Sequence, residues 1–134
     1  MKYLLDVNAL LALGIGEHEF HDRVANWVVT LASSGDLAIA TCSITELGFV
    51  RIVAQTPRHG YTVEEAKGLL KQLKSKHSEI LSFLADAQDI THLPSWVQYP
   101  KQVTDGHLVR LAKSHGAVLA TLDRGIPGAL LIQA

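Results

Sequence analysis

The sequence has a single cysteine, only four prolines and few aromatic residues, which make up 6% of its 134 positions. One cysteine excludes an internal disulfide, and Cys42 lies in the apolar stretch Leu37–Ile44, which predicts a small buried side chain. No apolar run is long enough to span a membrane. The segment Met1–Leu13 is rich in leucine, but Asp6 and Asn8 interrupt it and no clear cleavage site follows. We therefore expect no signal peptide and a cytoplasmic protein.

The chain also lacks a strong charge of either sign, since its formal net charge is −1. A protein that binds nucleic acid without regard to sequence usually has a strongly basic surface, so this balance counts against such binding. Hydrophobic residues make up 48% of the chain and charged residues 19%, which is typical of a globular protein. We expect one domain over residues 1–134.

Short apolar runs alternate with stretches of helical periodicity. Strands are predicted around residues 3–5, 37–40, 117–122 and 130–132, with a weaker one at 90–93. Helices are predicted around residues 24–31, 43–54, 63–73, 80–84 and 105–114, the third of them opened by a capping box at Thr62 and Glu65. Strands that alternate with helices favour a parallel sheet covered on both faces, an α/β fold.

Four acidic residues follow or open these elements. Asp6 ends the first strand, Glu46 lies in the first turn of the helix after the second strand, and Asp123 ends the 117–122 strand. Asp105 opens the helix before that strand. The carboxyl ends of parallel strands share one edge of a sheet, where ligands bind. We expect Asp6, Glu46 and Asp123 at this edge, joined by Asp105 if its loop returns there.

Each acid also has a structural interpretation. Glu46 follows Ser43 at the spacing of a capping box, Asp105 suits an ordinary first helical turn, and Asp6 and Asp123 suit turns that bond nearby backbone. If the four converge, however, each pair about 5 Å apart repels by about 3 kcal/mol at an effective dielectric near 20. A magnesium ion is the natural counter-charge, and it can polarise a phosphoryl oxygen and activate water. The pattern therefore favours phosphodiester hydrolysis.

These motifs together resemble the PIN-domain ribonucleases, and in particular the VapC-type toxins of bacterial toxin–antitoxin pairs. The resemblance covers essentially the whole chain and rests on four segments in order: Leu4–Leu10, Ser43–Arg51, Val103–Leu108 and Leu119–Asp123. It implies a three-layer α/β/α fold with a mainly parallel sheet and a magnesium- or manganese-dependent endoribonuclease. It also implies a homodimer, an RNA substrate and a cognate VapB-type antitoxin that blocks the site.

The same resemblance assigns roles to single residues. Asp6 and Asp105 match the direct metal ligands, with Glu46 and Asp123 completing the pocket or acting through water. Two further residues, Asn8 and Thr121, match supporting polar positions. The chain departs from the usual pattern at Gly106, where alanine is common, and at His107, which is a candidate contact to metal or RNA.

Local positive charge would have to come from basic residues near these motifs. Arg51 and Arg124 are the candidate RNA contacts, whereas Lys67, Lys71 and Lys74 form a stripe that suits either a solvated helix face or an RNA track. The segment that holds His18 and His21 is not the zinc-binding HExxH motif, and helix entry or substrate contact is the better interpretation.

Three other functions fit parts of this pattern. A phospho-receiver module would need an aspartate after a central strand and a lysine on a later strand end, and neither is present. A non-catalytic PIN-like module that binds RNA or protein would keep the fold without cleavage. A deoxyribonuclease would use the same acids. Cleavage of RNA with magnesium, and growth arrest on expression, would distinguish these alternatives from a ribonuclease toxin.

Overall fold

The computed structural model describes residues 1–35 and 38–133. Asp36 and Leu37, which the sequence pattern assigns to a loop and to the start of the second strand, lie outside the described residues. The elements in chain order are β1 (Lys2–Leu5), α1 (Val7–Gly14), α2 (His21–Ser33), β2 (Ala38–Cys42), α3 (Ser43–Gln55), α4 (Val63–Lys76), β3 (Leu81–Leu84), two short 3₁₀ helices (Ile90–His92 and Pro100–Gln102), α5 (Val103–Ser114), β4 (Val118–Thr121) and β5 (Leu130–Leu131).

The five strands form one sheet in the order β3-β2-β1-β4-β5, and every neighbouring pair is parallel. The expected α/β fold with a parallel sheet is therefore confirmed. Since all strands point the same way, the residues that follow β1, β2 and β4 lie at one edge of the sheet. This places the chain after Leu5, Cys42 and Thr121 along a single line.

Both faces of the sheet are covered by helices. Leu5 and Ile39 pack with α1 to α4 on one side, whereas Leu4 and Ala40 pack with α5 on the other. Successive residues of a strand point to opposite faces, so one strand feeds two separate cores. Burial on both faces explains the continuously apolar strands and gives the three-layer α/β/α arrangement.

Two predicted elements are wrong, and one helix went unpredicted. Residues 81–84 form strand β3 instead of a helix, because the edge of the sheet offers β2 as a hydrogen-bonding partner. Residues 90–92 form a 3₁₀ helix instead of a strand, with Asp89 accepting the backbone N–H of Thr91. Helix α1 is nearly all apolar and buried, so it lacks the alternation of faces that marks a surface helix.

Other local expectations are confirmed. The capping box of Thr62 and Glu65 opens α4, with reciprocal backbone bonds of 3.0 and 3.1 Å. Gly116 follows α5 with a φ of 67°, the left-handed conformation that favours glycine. The Cys42 side chain is fully buried. Within the described residues, no helix is both long and apolar enough to cross a membrane.

Candidate active site

Asp6 is a buried carboxylate at the junction of β1 and α1. Its side chain is only 4% exposed, and Oδ1 accepts the backbone N–H of Ala9 at 2.8 Å. This bond makes Asp6 the N-cap of α1, so the structural interpretation of this residue is correct in itself. It occupies one oxygen and leaves Oδ2 to face the next strand.

Thr121 connects Asp6 to the end of the neighbouring strand. The Thr121 hydroxyl donates to Asp6 Oδ2, and Thr121 Oγ1 accepts the backbone N–H of Asp123 at 3.0 Å. Thr121 is itself buried, and 115 residues separate it from Asp6 in the chain. The parallel pairing of β1 with β4 brings the two motifs together. The position assigned to a supporting polar group therefore lies between two of the candidate acids.

Asp105 approaches the same point from α5, which begins two residues earlier at Val103. Its side chain is half-buried, and the nearby charge of Asp123 acts on it. Asp105 and Asp123 both act on Asp6 as well. The three aspartates therefore form a group, called here the aspartate cluster, at the carboxyl edge of the sheet.

The aspartate cluster is electrostatically uncompensated. Burial raises the pKa of Asp6 to about 6, with Asp123 and Asp105 adding to the rise and the bonds from Thr121 and Ala9 opposing it. Burial also raises the pKa of Asp105, and Asp123 adds to it. Within residues 1–35 and 38–133, none of the three aspartates forms an ion pair with a basic side chain.

Glu46 differs from the residues of the aspartate cluster because it already has a positively charged partner. Its Oε2 accepts the Thr41 hydroxyl at 2.6 Å and the Lys74 ammonium at 2.7 Å. The Glu46 side chain is 22% exposed and that of Lys74 is 35% exposed. Lys74 lies on α4, the helix that follows α3 in the chain. No residue near Glu46 in the sequence indicates that Lys74 is its partner.

The alternative interpretation of Glu46 as a helix cap is wrong. Helix α3 is capped by Cys42 and Thr45, and the backbone N–H of Cys42 donates to the Thr45 hydroxyl at 3.0 Å. Because Thr45 supplies the capping bond, the Glu46 carboxylate is not needed at its own helix end. It extends instead toward Thr41 and Lys74.

The remaining candidates lie in different surroundings, and Asn8 lines a cavity that also reaches Asp123. Asn8 is exposed at the start of α1, and Arg51 and Arg124 are exposed on α3 and after Asp123. His107 bonds to the Asp86 carboxylate on the segment after β3, which gives this histidine an acidic partner. Asp86 therefore competes with any contact from His107 to RNA.

Gly106 has a packing reason that its sequence position did not reveal. A Cβ placed there would overlap Val97 Cγ2 and would lie 3.3 Å from Pro94 Cδ. The loop between the two 3₁₀ helices therefore rests directly on the first turn of α5. Glycine at this position lets that loop approach the helix beside Asp105.

The residues present fit a hydrated magnesium ion. Within residues 1–35 and 38–133, no three His, Cys, Asp or Glu side chains stand close enough together to hold a metal by themselves. Magnesium, however, keeps several waters and is usually bound by one or two carboxylates plus substrate phosphates. Uncompensated aspartates with raised pKa values are the donor set that such an ion would stabilise.

Comparison with known proteins identifies the family to which this fold belongs. The family model for the PIN domain matches residues 3–128. Ribonuclease VapC29 of Mycobacterium tuberculosis is 36% identical over 129 residues, which covers 94% of this chain and 89% of that protein. Ribonuclease VapC38 of the same organism is 38% identical over 128 residues, covering 92% and 86%. The crystal structure of VapBC2 from Rickettsia felis aligns with a TM-score of 0.65 at 18% identity, covering 98% of this chain and 97% of that one.

The fold and the family model define the class, and this chain belongs to the PIN domain family. Within that family it is similar, over most of its length, to proteins named as VapC ribonucleases. The resemblance stated from the four sequence motifs is therefore confirmed.

Proposed function

We propose that this protein is a magnesium-dependent endoribonuclease that acts as the toxin of a toxin–antitoxin pair. The observation that carries the proposal is the aspartate cluster, in which Asp6, Asp105 and Asp123 are gathered from distant segments without a basic partner among the described residues. A purely structural aspartate would gain from a neutralising neighbour. The relatives named as VapC ribonucleases support the choice of RNA as substrate.

Asp6 and Asp105 would hold the ion, with Asp123 and Glu46 acting through water. A divalent cation bound there would polarise a phosphoryl oxygen and make water a better nucleophile at neutral pH. Thr121 fixes the rotamer of Asp6 by donating to Oδ2, and the Ala9 N–H fixes Oδ1. Both bonds hold the carboxylate in place before substrate arrives, which limits the reorganisation needed for reaction.

Partners and assembly follow from the same proposal. A VapB-type antitoxin would block the edge of the sheet, and the Rickettsia felis VapBC2 structure supports such a partner. We also propose a homodimer and a cytoplasmic location, since a toxin of this kind meets its RNA substrate and its antitoxin there. Manganese would replace magnesium, because it accepts the same oxygen ligands.

The decisive experiment is RNA cleavage by the purified protein with magnesium and after EDTA. Asp6→Asn and Asp105→Asn should each reduce cleavage at least a hundredfold, because each removes a ligand charge while keeping the side chain's shape. Asp22→Asn is the matched control, since Asp22 is an exposed aspartate on α2. Growth arrest on expression, relieved by the first two changes only, would distinguish a toxin from a non-catalytic RNA- or protein-binding module. Full cleavage in EDTA or in both active-site variants would refute the proposal.

A further inference from the structure

A trough runs from the aspartate cluster along one side of α1. Two adjoining cavities, of about 500 and 570 Å³, share four lining residues: Asn8, Glu17, His18 and Arg58. One cavity reaches Asp123, and the other reaches Tyr61. Each volume falls in the range of small-molecule binding sites. The shared residues make the two cavities one continuous path, called here the trough.

The far end of the trough has an apolar floor with aromatic and polar walls. Leu11 and Ile15 are each 6% exposed and line this end together with Ile52. His59 and Tyr61 stand above them, with their ring centroids 6.4 Å apart. Aromatic faces beside a shallow apolar surface are the usual support for an unstacked base of single-stranded RNA.

One atom in this wall is left without a partner. His59 Nδ1 is shielded from solvent, and no hydrogen bond reaches it from any part of the chain that the structure describes. A buried polar nitrogen without a partner is uncommon in folded proteins, and such atoms often mark a place that a ligand or water completes. His59 lines the apolar end of the trough, where its ring would contact a bound base.

The middle of the trough holds charges of both signs, because Arg58 and Glu17 line both cavities. Arg58 is exposed, and among the described residues it forms no ion pair. Burial lowers the pKa of His18, and the nearby charges of Arg58, His21 and His59 lower it further against the opposing charge of Glu19. A free guanidinium at this point suits a phosphate, which it can bind with two parallel hydrogen bonds.

We propose that the trough binds one nucleotide of the RNA next to the scissile phosphate, with its own phosphate on Arg58 and its base between Tyr61, His59 and the apolar floor. This assignment rests on the ribonuclease function proposed above. Glu17 lines both cavities and accepts only, so it favours a base that presents an amino or imino N–H. The trough would therefore contribute to the choice of cleavage site.

Binding of the four ribonucleoside 5′-monophosphates tests the assignment without any cleavage step. Their dissociation constants would be measured by NMR in EDTA, with inorganic phosphate as the reference ligand, while the histidine ring signals are followed. We expect the nucleotides to shift the His59 ring signals and to bind at least threefold tighter than phosphate. Arg58→Ala should weaken binding about tenfold, the loss expected from one charge-assisted contact.

Matched variants separate this site from general charge and from the fold. Tyr61→Phe keeps the ring and should bind like the wild type, whereas Tyr61→Leu should weaken nucleotide binding several-fold and leave phosphate binding unchanged. Arg110→Ala removes an arginine from α5, outside the trough, and should have no effect. Equal weakening in Arg58→Ala and Arg110→Ala, or nucleotide binding no tighter than phosphate, would overturn the assignment.

Cleavage assays distinguish failure of this assignment from failure of the proposed function. RNA cleavage with an unchanged KM and cleavage pattern in Arg58→Ala would keep the ribonuclease and overturn the nucleotide site. Nucleotide binding in the trough of a protein that cuts no RNA would contradict the ribonuclease and keep the site. A change confined to antitoxin binding in Arg58→Ala would make the trough a protein-binding surface and overturn the assignment.

Discussion

Replacing Asp6 by asparagine should stabilise the metal-free protein while removing its activity. Burial holds the pKa of Asp6 at about 6, compared with an ordinary value of 3.8. A rise of about two pKa units means that the ionised side chain costs the folded state about 3 kcal/mol at neutral pH. Asparagine keeps the oxygen that accepts the Ala9 N–H and carries no charge. The free energy of unfolding at pH 7.5 in EDTA should therefore rise by up to about 3 kcal/mol.

The sign of the pH dependence follows from the direction of the shift. A carboxyl whose pKa is higher in the folded state binds its proton more tightly there, so acid stabilises the fold through this group. The advantage of Asp6→Asn should be full above about pH 7, shrink as the pH falls through 6, and disappear below about pH 4. Other titrating groups are common to both proteins, so their contributions cancel in the difference.

Thermal and urea unfolding of the two proteins between pH 4 and 8 would measure this difference. For a chain of this length, a gain of up to about 3 kcal/mol corresponds to a rise in Tm of up to about 10 °C at pH 7.5. Magnesium should narrow the gap by stabilising the wild type more than the variant. Asp22→Asn should stay within about 0.5 kcal/mol of the wild type. A variant less stable than the wild type at pH 7.5, or a gap that persists unchanged at pH 4, would refute the reasoning.

Two further predictions concern the surroundings of the aspartate cluster. Lys74→Met leaves the half-buried Glu46 without its partner, so the free energy of unfolding measured in urea should fall by about 1 kcal/mol. Lys71→Met, at an exposed position one turn away, should cause no such loss. An equal loss in both variants would show that the ion pair is unimportant. Gly106→Ala should lower Tm because the new Cβ overlaps Val97, even though alanine is more favourable than glycine in a helix by about 1 kcal/mol. Adding Val97→Ala should recover most of this loss. Purely additive effects of the two changes would contradict the contact.

The sequence was sufficient for the architecture wherever a residue pattern reflects a local cause. Strand β4 is apolar because it is buried on both faces, and this pattern predicts it. The capping box at Thr62 predicts the start of α4. The prediction for strand β3 was wrong because a short edge strand and a short helix can have the same few apolar residues. Only the pairing with β2 decides between the two. Helix α1 was not predicted because it is apolar on nearly all sides and so lacks a helical pattern of apolar and polar residues.

The candidate site shows the same division between local and distant causes. Asp6 and Asp123 could be placed beside each other from sequence, because parallel strands deliver their ends to one edge. The partner of Glu46 could not, since Lys74 lies 28 residues away on another helix. Its spacing in the lysine stripe gave it no distinction from Lys67 or Lys71. One lysine of that stripe binds a candidate catalytic acid, another pairs with Glu64, and a single interpretation of the stripe does not describe both.

The net charge of −1 argues against RNA binding only while charge is treated as a property of the whole chain. Among the residues that the structure describes, the three aspartates form no ion pair with a basic side chain, and neither does Arg58 in the trough that leads to them form one with an acid. An ion at the aspartates and a free guanidinium in the trough would both attract phosphate, although the chain as a whole does not. Affinity for RNA would then depend on a few well-placed contacts. Because each phosphate contact adds to the salt dependence of binding, a protein with few such contacts would show only a weak dependence of affinity on salt concentration. Such a protein has a physical reason to cut a particular RNA segment instead of any RNA it meets.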